Sequence, residues 1–311
     1  MNTIAKTLPE QSSMLNIVHV SGNDDLARVF VAELEDGARI ELVESVQRPV
    51  PREEKWVLIV STLKGCPVRC PICDAGGDYR GKLTRDELLA QIDFLVGQRC
   101  PGGRPDTRRL KIQFARMGDP AFNDAVLDVL EILPDHLGTD AVQPSISTVA
   151  PASRDRFFDR LLDIKNRRYP GGRFQMQFSL HTTDEVARRR LVPVKTWSLD
   201  QMAAYGERFV GPGDLKVSLN FAPAKGVPLD PEALREWFDP EKFIVKLTPI
   251  NPTVSAVSAG LEGVIDPDEP RSGEVIAQSF ERLGYRTILS IGDVEENRIG
   301  SNCGMYLTRA R

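Results

Sequence analysis

The sequence predicts an α/β fold: a parallel sheet arranged as a partial, TIM-like (β/α)6 barrel with a small N-terminal β-hairpin extension. Three observations carry this. From Val57 onward, short apolar strand patterns alternate with amphipathic helix patterns, which means βαβ units. There are six such units, too few to close an eight-fold barrel. Before Val57 the chain shows strand patterns without helices between them. A length of 311 residues, 41% hydrophobic and 27% charged, suits one large barrel or two medium domains of an ordinary soluble protein.

Residues 1–13, MNTIAKTLPEQSS, contain no apolar stretch of signal-peptide length and are expected to be a disordered N-terminus. Residues 14–50 form the β extension. MLNIVHVS is one strand candidate, and ARVFVAEL and ARIELVES flank Glu35-Asp36-Gly37, an Asp-Gly hairpin signal. RPVPREEK is a Pro- and charge-rich connection. Residues 51–311 form the barrel, including a C-terminal loop around Cys303. Its strand candidates are 57–63, 110–115, 143–149, 174–180, 216–222 and 243–249. The first helix opens with Thr84 and Glu87 in capping-box spacing and puts Leu88, Ile92, Leu95 and Val96 on one face. Further helix patterns cover 123–133, 152–165, 198–209, 230–238 and 273–284. In such folds ligands gather at the C-terminal ends of the strands.

The end of the first strand carries Cys66, Cys70 and Cys73 in GCPVRCPICDAGG, a C-x3-C-x2-C loop. Three thiolates there can hold three irons of a 4Fe–4S cluster and leave the fourth open to a substrate or cofactor. A structural zinc is the alternative, with Cys303 as a distant fourth ligand; the three His, at 19, 136 and 181, lie away from the loop. Five Cys, an odd number without a leader, fit a reducing cytoplasm rather than a disulfide scaffold. No apolar run approaches the ~20 residues of a membrane helix. A net charge of −4 is a weak footprint for gripping a large RNA.

The other strand ends carry polar groups too. Ala115-Arg116-Met117-Gly118-Asp119-Pro120 follows the second strand, where Gly118 lets backbone approach a ligand and Asp119 can hold an ammonium; a capped tight turn is the plain alternative. The third strand ends in Ser147-Thr148-Val149, the fourth in Ser179-Leu180-His181, and the sixth in Thr248-Pro249-Ile250-Asn251-Pro252.

Taken in order, RMGDPAFN, SLHTTDEVARRRLVP, PINP and NCGMY resemble the motifs of the RlmN/Cfr adenosine methyltransferases, radical S-adenosylmethionine (SAM) enzymes that methylate an sp2 carbon of adenine in RNA. The hairpin EDGARIE fits as well, and the resemblance spans roughly 26–306. It implies a radical SAM barrel with Cys66, Cys70 and Cys73 on a 4Fe–4S cluster, and a SAM site lined by Gly118, Asp119, Ser147, Ser179, Leu180, His181 and Asn251. It makes Cys303 a methyl-carrying cysteine: one SAM methylates the sulfur, and a second yields the 5′-deoxyadenosyl radical that activates the methyl. It gives Glu41 the place of a base; a solvated hairpin carboxylate is the plain alternative. A flavodoxin- or ferredoxin-like electron donor follows.

Three departures stand out. The family has a second cysteine seven residues before the first ligand, which releases product by forming a disulfide; here that place is Ile59. Cys100 ends the first helix, on the opposite face, and reads as a small buried hydrophobe. The chain before the cluster is shorter than in the bacterial RNA enzymes, so their N-terminal RNA-binding domain is expected to be missing. Ile72 stands where an aromatic residue usually precedes the third ligand. The expectation is therefore a cytoplasmic radical SAM methyltransferase-like enzyme acting on a small-molecule or nucleotide-like substrate. An rRNA or tRNA adenosine methyltransferase with another resolving route is the runner-up, and a non-catalytic iron–sulfur or zinc protein the alternative of a different class.

Overall fold

A computed structural model describes residues 14–309; the disorder expected for 1–13 lies outside them. Among the described residues, ten strands form one sheet in the order β1-β2-β3-β4-β7-β8-β9-β10-β11-β12. The first three, β1 (Asn16–Gly22), β2 (Ala27–Glu33) and β3 (Arg39–Val46), are antiparallel. The β2–β3 turn is the expected one, with Gly37 at φ 75° where a Cβ would be strained. The extension is part of the barrel sheet, since β3 pairs antiparallel with β4 (Trp56–Val60).

From β4 on, the ladder is parallel through β7 (Leu110–Phe114), β8 (Val142–Thr148), β9 (Gln175–Ser179), β10 (Val217–Phe221), β11 (Phe243–Leu247) and β12 (Thr287–Leu289). The six expected strands are all present; β12 is a seventh, three half-buried residues at the edge. The strand expected over 57–63 breaks at Ser61-Thr62, because the Thr62 and Leu63 amides both turn to the Met117 carbonyl. The chain then leaves the sheet in a small hairpin, β5 (Leu63–Cys66) with β6 (Gly77–Lys82), which brackets the cysteine loop.

The helices pack on the outer face. α1 (Arg85–Gly97) has both bonds of the Thr84–Glu87 capping box. α2 (Ala125–Leu137), α3 (Asp155–Arg168) and α5 (Leu199–Phe209) lie where expected. In α3, Phe157, Phe158, Leu161 and Ile164 are buried at helical spacing. α4 (Glu185–Leu191), N-capped by Asp184, was hidden in the charged run EVARRRL. The remaining helices are α6 (Pro231–Arg235), α7 (Val254–Ser258), α8 (Glu274–Glu281) and α9 (Val294–Ile299).

Alternation along the parallel strands sorts two faces. Leu110, Ile112 and Phe114 of β7, and Phe243, Val245 and Leu247 of β11, belong to the core under the helices. Their neighbours in sequence, Lys111, Gln113 and Lys246, therefore face the lumen. No described helix is long and apolar enough to cross a membrane.

Candidate active site at the strand ends

The cysteine loop and the Cys303 segment meet. The Asp74 amide donates to the Gly304 carbonyl at 2.9 Å, and Asn251 Nδ2 donates to the Cys303 carbonyl at 2.8 Å. Thr253 Oγ1 donates to the Ile72 carbonyl at 3.3 Å. The Asp74 carboxylate caps α7 through the Val254 and Ser255 amides at 3.0 and 2.8 Å. Gly304 has φ 81°, and a Cβ there would sit 3.1 Å from the Ile72 carbonyl oxygen, so only glycine lets the segments approach. Cys303 itself is exposed, and it lies near enough to the Cys73 thiol to act on it.

The three loop thiols are coupled. Burial pushes Cys66 up to about 11. Burial, then the neighbouring Cys73 and Cys66, hold Cys70 well above the usual thiol range. Burial, then Cys303, push Cys73 up to about 12. Packed this closely, the thiols ionise only if a cationic centre compensates them, and bound metal does so. Among the described residues, no three His, Cys, Asp or Glu side chains converge on one point as ligands of a single ion. Three neighbouring thiols on one loop are a donor set that fits an iron–sulfur cluster with one iron left open. Just after β9 and along the lumen face of β10, His181 Nδ1, Ser218 Oγ and Asn220 Oδ1 are buried without a hydrogen-bond partner. Such orphans call for a polar ligand, and this fits a SAM-like cofactor there.

The remaining residues singled out from sequence divide. Ser147 and Ser179 are half-buried on the lumen face, Ser179 in register with Asn220. His181, at φ 66°, is buried; its neighbour Leu180 buries its side chain in the core, so only its backbone faces the strand ends. A Cβ at the Gly118 φ of 87° would lie 2.4 Å from Leu63 Cβ, so the glycine is needed for the close approach of β5. Asp119 differs from expectation. It N-caps the 3-10 turn Pro120–Phe122 through the Ala121 amide, and its oxygens also accept from Thr148 Oγ1 and the Val149 amide at 2.7–3.0 Å. The capped-turn alternative describes it, and burial raises its carboxyl to about 6.

Glu41 is not a solvated hairpin carboxylate. Its side chain is wholly buried, paired with Arg116 at 2.8 Å, and its Oε1 accepts from the Thr308 amide at 2.9 Å. Arg116 also donates to the carbonyls of Gly300, Ser301 and Asn302 and lies over the Tyr306 ring, 4.7 Å from its centre. This clamp fixes the segment that carries Cys303. Sequence reasoning gave Arg116 no role, although it stands where the family motif has its first glycine. Ile59 packs on the same face with Val29, Val43, Ile299 and Leu307, filling the second-cysteine position with apolar bulk. Cys100, after α1, packs against the main core, as expected of a small hydrophobe.

Comparison with known proteins agrees with this arrangement. No protein-family model matches the chain. It is 30% identical over 288 residues to a probable dual-specificity RNA methyltransferase RlmN from Parafrankia sp. strain EAN1pec, covering 86% of this chain and 68% of the relative. A protein of the same description from Synechococcus sp. strain CC9311 is 27% identical over 210 residues, 66% of this chain. The chain spans 56% of the length of that Synechococcus relative. The fold is similar to the crystal structure of a radical SAM methyltransferase from Sphaerobacter thermophilus, with a TM-score of 0.73 and 22% identity over 94% of this chain and 80% of that one. With this likeness, and with the cysteine loop, the Cys303 segment and the strand-end motifs in one place, the chain belongs to the RlmN/Cfr family of radical SAM proteins.

Proposed function

We propose that the protein is a radical SAM methyltransferase-type enzyme in which Cys303 carries the methyl group. One observation supports this best: the exposed Cys303 is docked onto the loop of Cys66, Cys70 and Cys73 by the Asp74–Gly304 and Asn251–Cys303 bonds. Cys66, Cys70 and Cys73 would hold a 4Fe–4S cluster. SAM would sit among His181, Ser147, Ser179 and the unpartnered Ser218 and Asn220. When bound, these groups supply an electrophilic methyl and, on reduction by a flavodoxin- or ferredoxin-like donor, a radical source. The chain's own part is positional. Asn251 and Arg116 hold the backbone on either side of the sulfur, Gly304 permits close approach, and the buried Glu41 neutralises Arg116.

The substrate is proposed to be small or nucleotide-like. Ile59 offers no thiol to resolve an adduct on Cys303. RNA is the second reading, favoured by the relatives' description as RNA methyltransferases. Anaerobic incubation with SAM, followed by peptide mapping, is expected to add one methyl to the Cys303 peptide. An unmodified Cys303 in a protein that still turns over SAM would overturn the carrier role. Multiple-turnover methylation of RNA by the unaltered chain would make RNA the first reading.

A further inference from the structure

Closed barrels usually fill their interior with branched apolar side chains. Here the lumen faces of β7 to β11 carry Gln113, Gln143, Ser145, Gln177 and Asn220, and two lysines, Lys111 and Lys246. Strand register fixes their placement. Lys111 pairs with Val57 and Gln143, and Lys246 with Asn220, while the residues before and after each lysine are in the core under the helices. β7 and β11 are four strands apart, which is ~19 Å along a flat sheet. Yet the Lys246 charge acts on Lys111. The parallel ladder curls as a partial barrel, so the strand faces that carry both lysines line one lumen.

Among the described residues, no carboxylate is paired with either lysine. Burial, then Lys246, Lys55 and Arg109, bring Lys111 down to about 7. Burial lowers Lys246, and the one group acting to raise it is Cys303. Lys246 thus lies in electrostatic reach of both Lys111 and Cys303. Buried cations without partners are costly, and an oxyanion with several acceptors would relieve both at once.

We infer that Lys111 and Lys246 form an oxyanion-binding site in the barrel lumen, which holds the carboxylate or phosphate group of a small substrate so that the rest of that substrate faces Cys303. The inference rests on the proposed carrier role of Cys303 for its purpose, and on the lumen geometry for its existence. It deepens the substrate reading: a small acid or phosphate ester presents one oxyanion that two ammonium groups can share.

The test is binding, measured anaerobically on the iron-loaded protein without reductant. Inorganic phosphate and malonate are titrated by calorimetry at constant ionic strength, with malonamide as the neutral control. Wild type is expected to bind at least one of the two anions and not malonamide; phosphate alone, malonate alone or both identifies the preferred headgroup. Lys111→Gln and Lys246→Gln are each expected to weaken binding at least tenfold. Lys225→Gln, a surface lysine paired with Glu262, is expected to leave it within twofold. Removing an uncompensated buried charge favours folding, so the variants remain usable. A second readout needs no variant: the anion that binds is expected to protect Lys111 from acylation, followed by mass spectrometry. Lys111→Gln is also expected to keep its affinity for SAM. Equal anion affinity in wild type and both lumen variants, absent protection, or a parallel loss of SAM affinity would overturn the site. Cys303 methylation in the same preparations separates the two readings. Methylated Cys303 without anion binding sinks only the lysine site, and anion binding beside an inert Cys303 sinks only the carrier role.

Discussion

Replacing Arg116 with Met tests whether the Glu41 clamp is structural. The guanidinium is almost fully buried, bonds Glu41 Oε2 through two nitrogens at 3.2 and 2.8 Å, and reaches three consecutive carbonyls. Its removal leaves Glu41 charged in a wholly buried position with the Thr308 amide as its remaining partner. Breaking a buried pair from one side costs about 3–5 kcal/mol, and each carbonyl left without its donor adds on the order of 1 kcal/mol. That is a large part of the ~5–15 kcal/mol that holds a domain together. Two outcomes share this cause: a lower urea midpoint, or release of residues 300–308 with the rest folded. Hydrogen exchange across that segment and the rate of Cys303 alkylation distinguish them. Glu41→Gln/Arg116→Met, which removes both charges, is expected to recover at least half of the loss. Arg116→Met within about 1 kcal/mol of wild type, with Cys303 alkylation unchanged, would refute the clamp. Glu41→Gln discriminates further. If the residue were a base at the substrate, catalysis would fall with stability intact; the clamp requires stability and Cys303 protection to fall first.

Gly304→Ala places a methyl 3.1 Å from the Ile72 carbonyl oxygen at φ 81°; it is expected to cost about 1–2 kcal/mol of stability, read as a lower urea midpoint, and to slow Cys303 methylation at least tenfold, read by peptide mass. Converting Cys66, Cys70 and Cys73 to Ala is expected to abolish iron binding, measured by colorimetric iron and sulfide assays, with retention of both refuting their assignment. Ile59→Cys replaces apolar packing against Ile299 and Leu307, at a cost of about 1–2 kcal/mol, and is expected to form a disulfide with Cys303 on mild oxidation if the two positions meet as in the family. Burial, then Arg188, lower His181 to about 4, below its ordinary 6.5, so its contribution to stability is complete above pH 6.5 and is lost as pH falls through 4; urea midpoints of wild type and His181→Asn should converge across that window, and parallel curves would contradict it.

The elements with local signals were legible. The Asp-Gly hairpin, the Thr84 capping box and six of the parallel strands needed only a few adjacent residues. What escaped depends on partners far along the chain. Glu41 alternates with Ile40 and Leu42 in β3 and so reads as a solvent-facing carboxylate, and nothing near it reveals that Thr308 and Arg116 will cover it. Lys111 and Lys246 read the same way, because alternation separates two faces but does not say that the second lines a lumen. Gly118 and Asp119 were visible as a turn, yet the partner of that turn is Leu63, more than fifty residues earlier. β12 and α4 were missed for a simpler reason: three half-buried residues, and a helix whose sequence is mostly charge, carry little apolar periodicity.

The bond from the Thr308 amide to Glu41 spans 267 residues, and this orders events during synthesis. A ribosome makes β3, the cysteine loop and most of the parallel strands long before Arg116 has any carbonyl of residues 300–302 to bind. Until then Glu41 and Arg116 can pair only with each other, on a face open to water. The nascent chain therefore passes through a state in which the loop of Cys66, Cys70 and Cys73 has been made but Cys303 has not. Closing so long a loop is entropically slow, so on the proposed reading a cluster would have time to be inserted before Cys303 arrives. Cys303 can dock onto the cysteine loop only once the strands that precede it have been made.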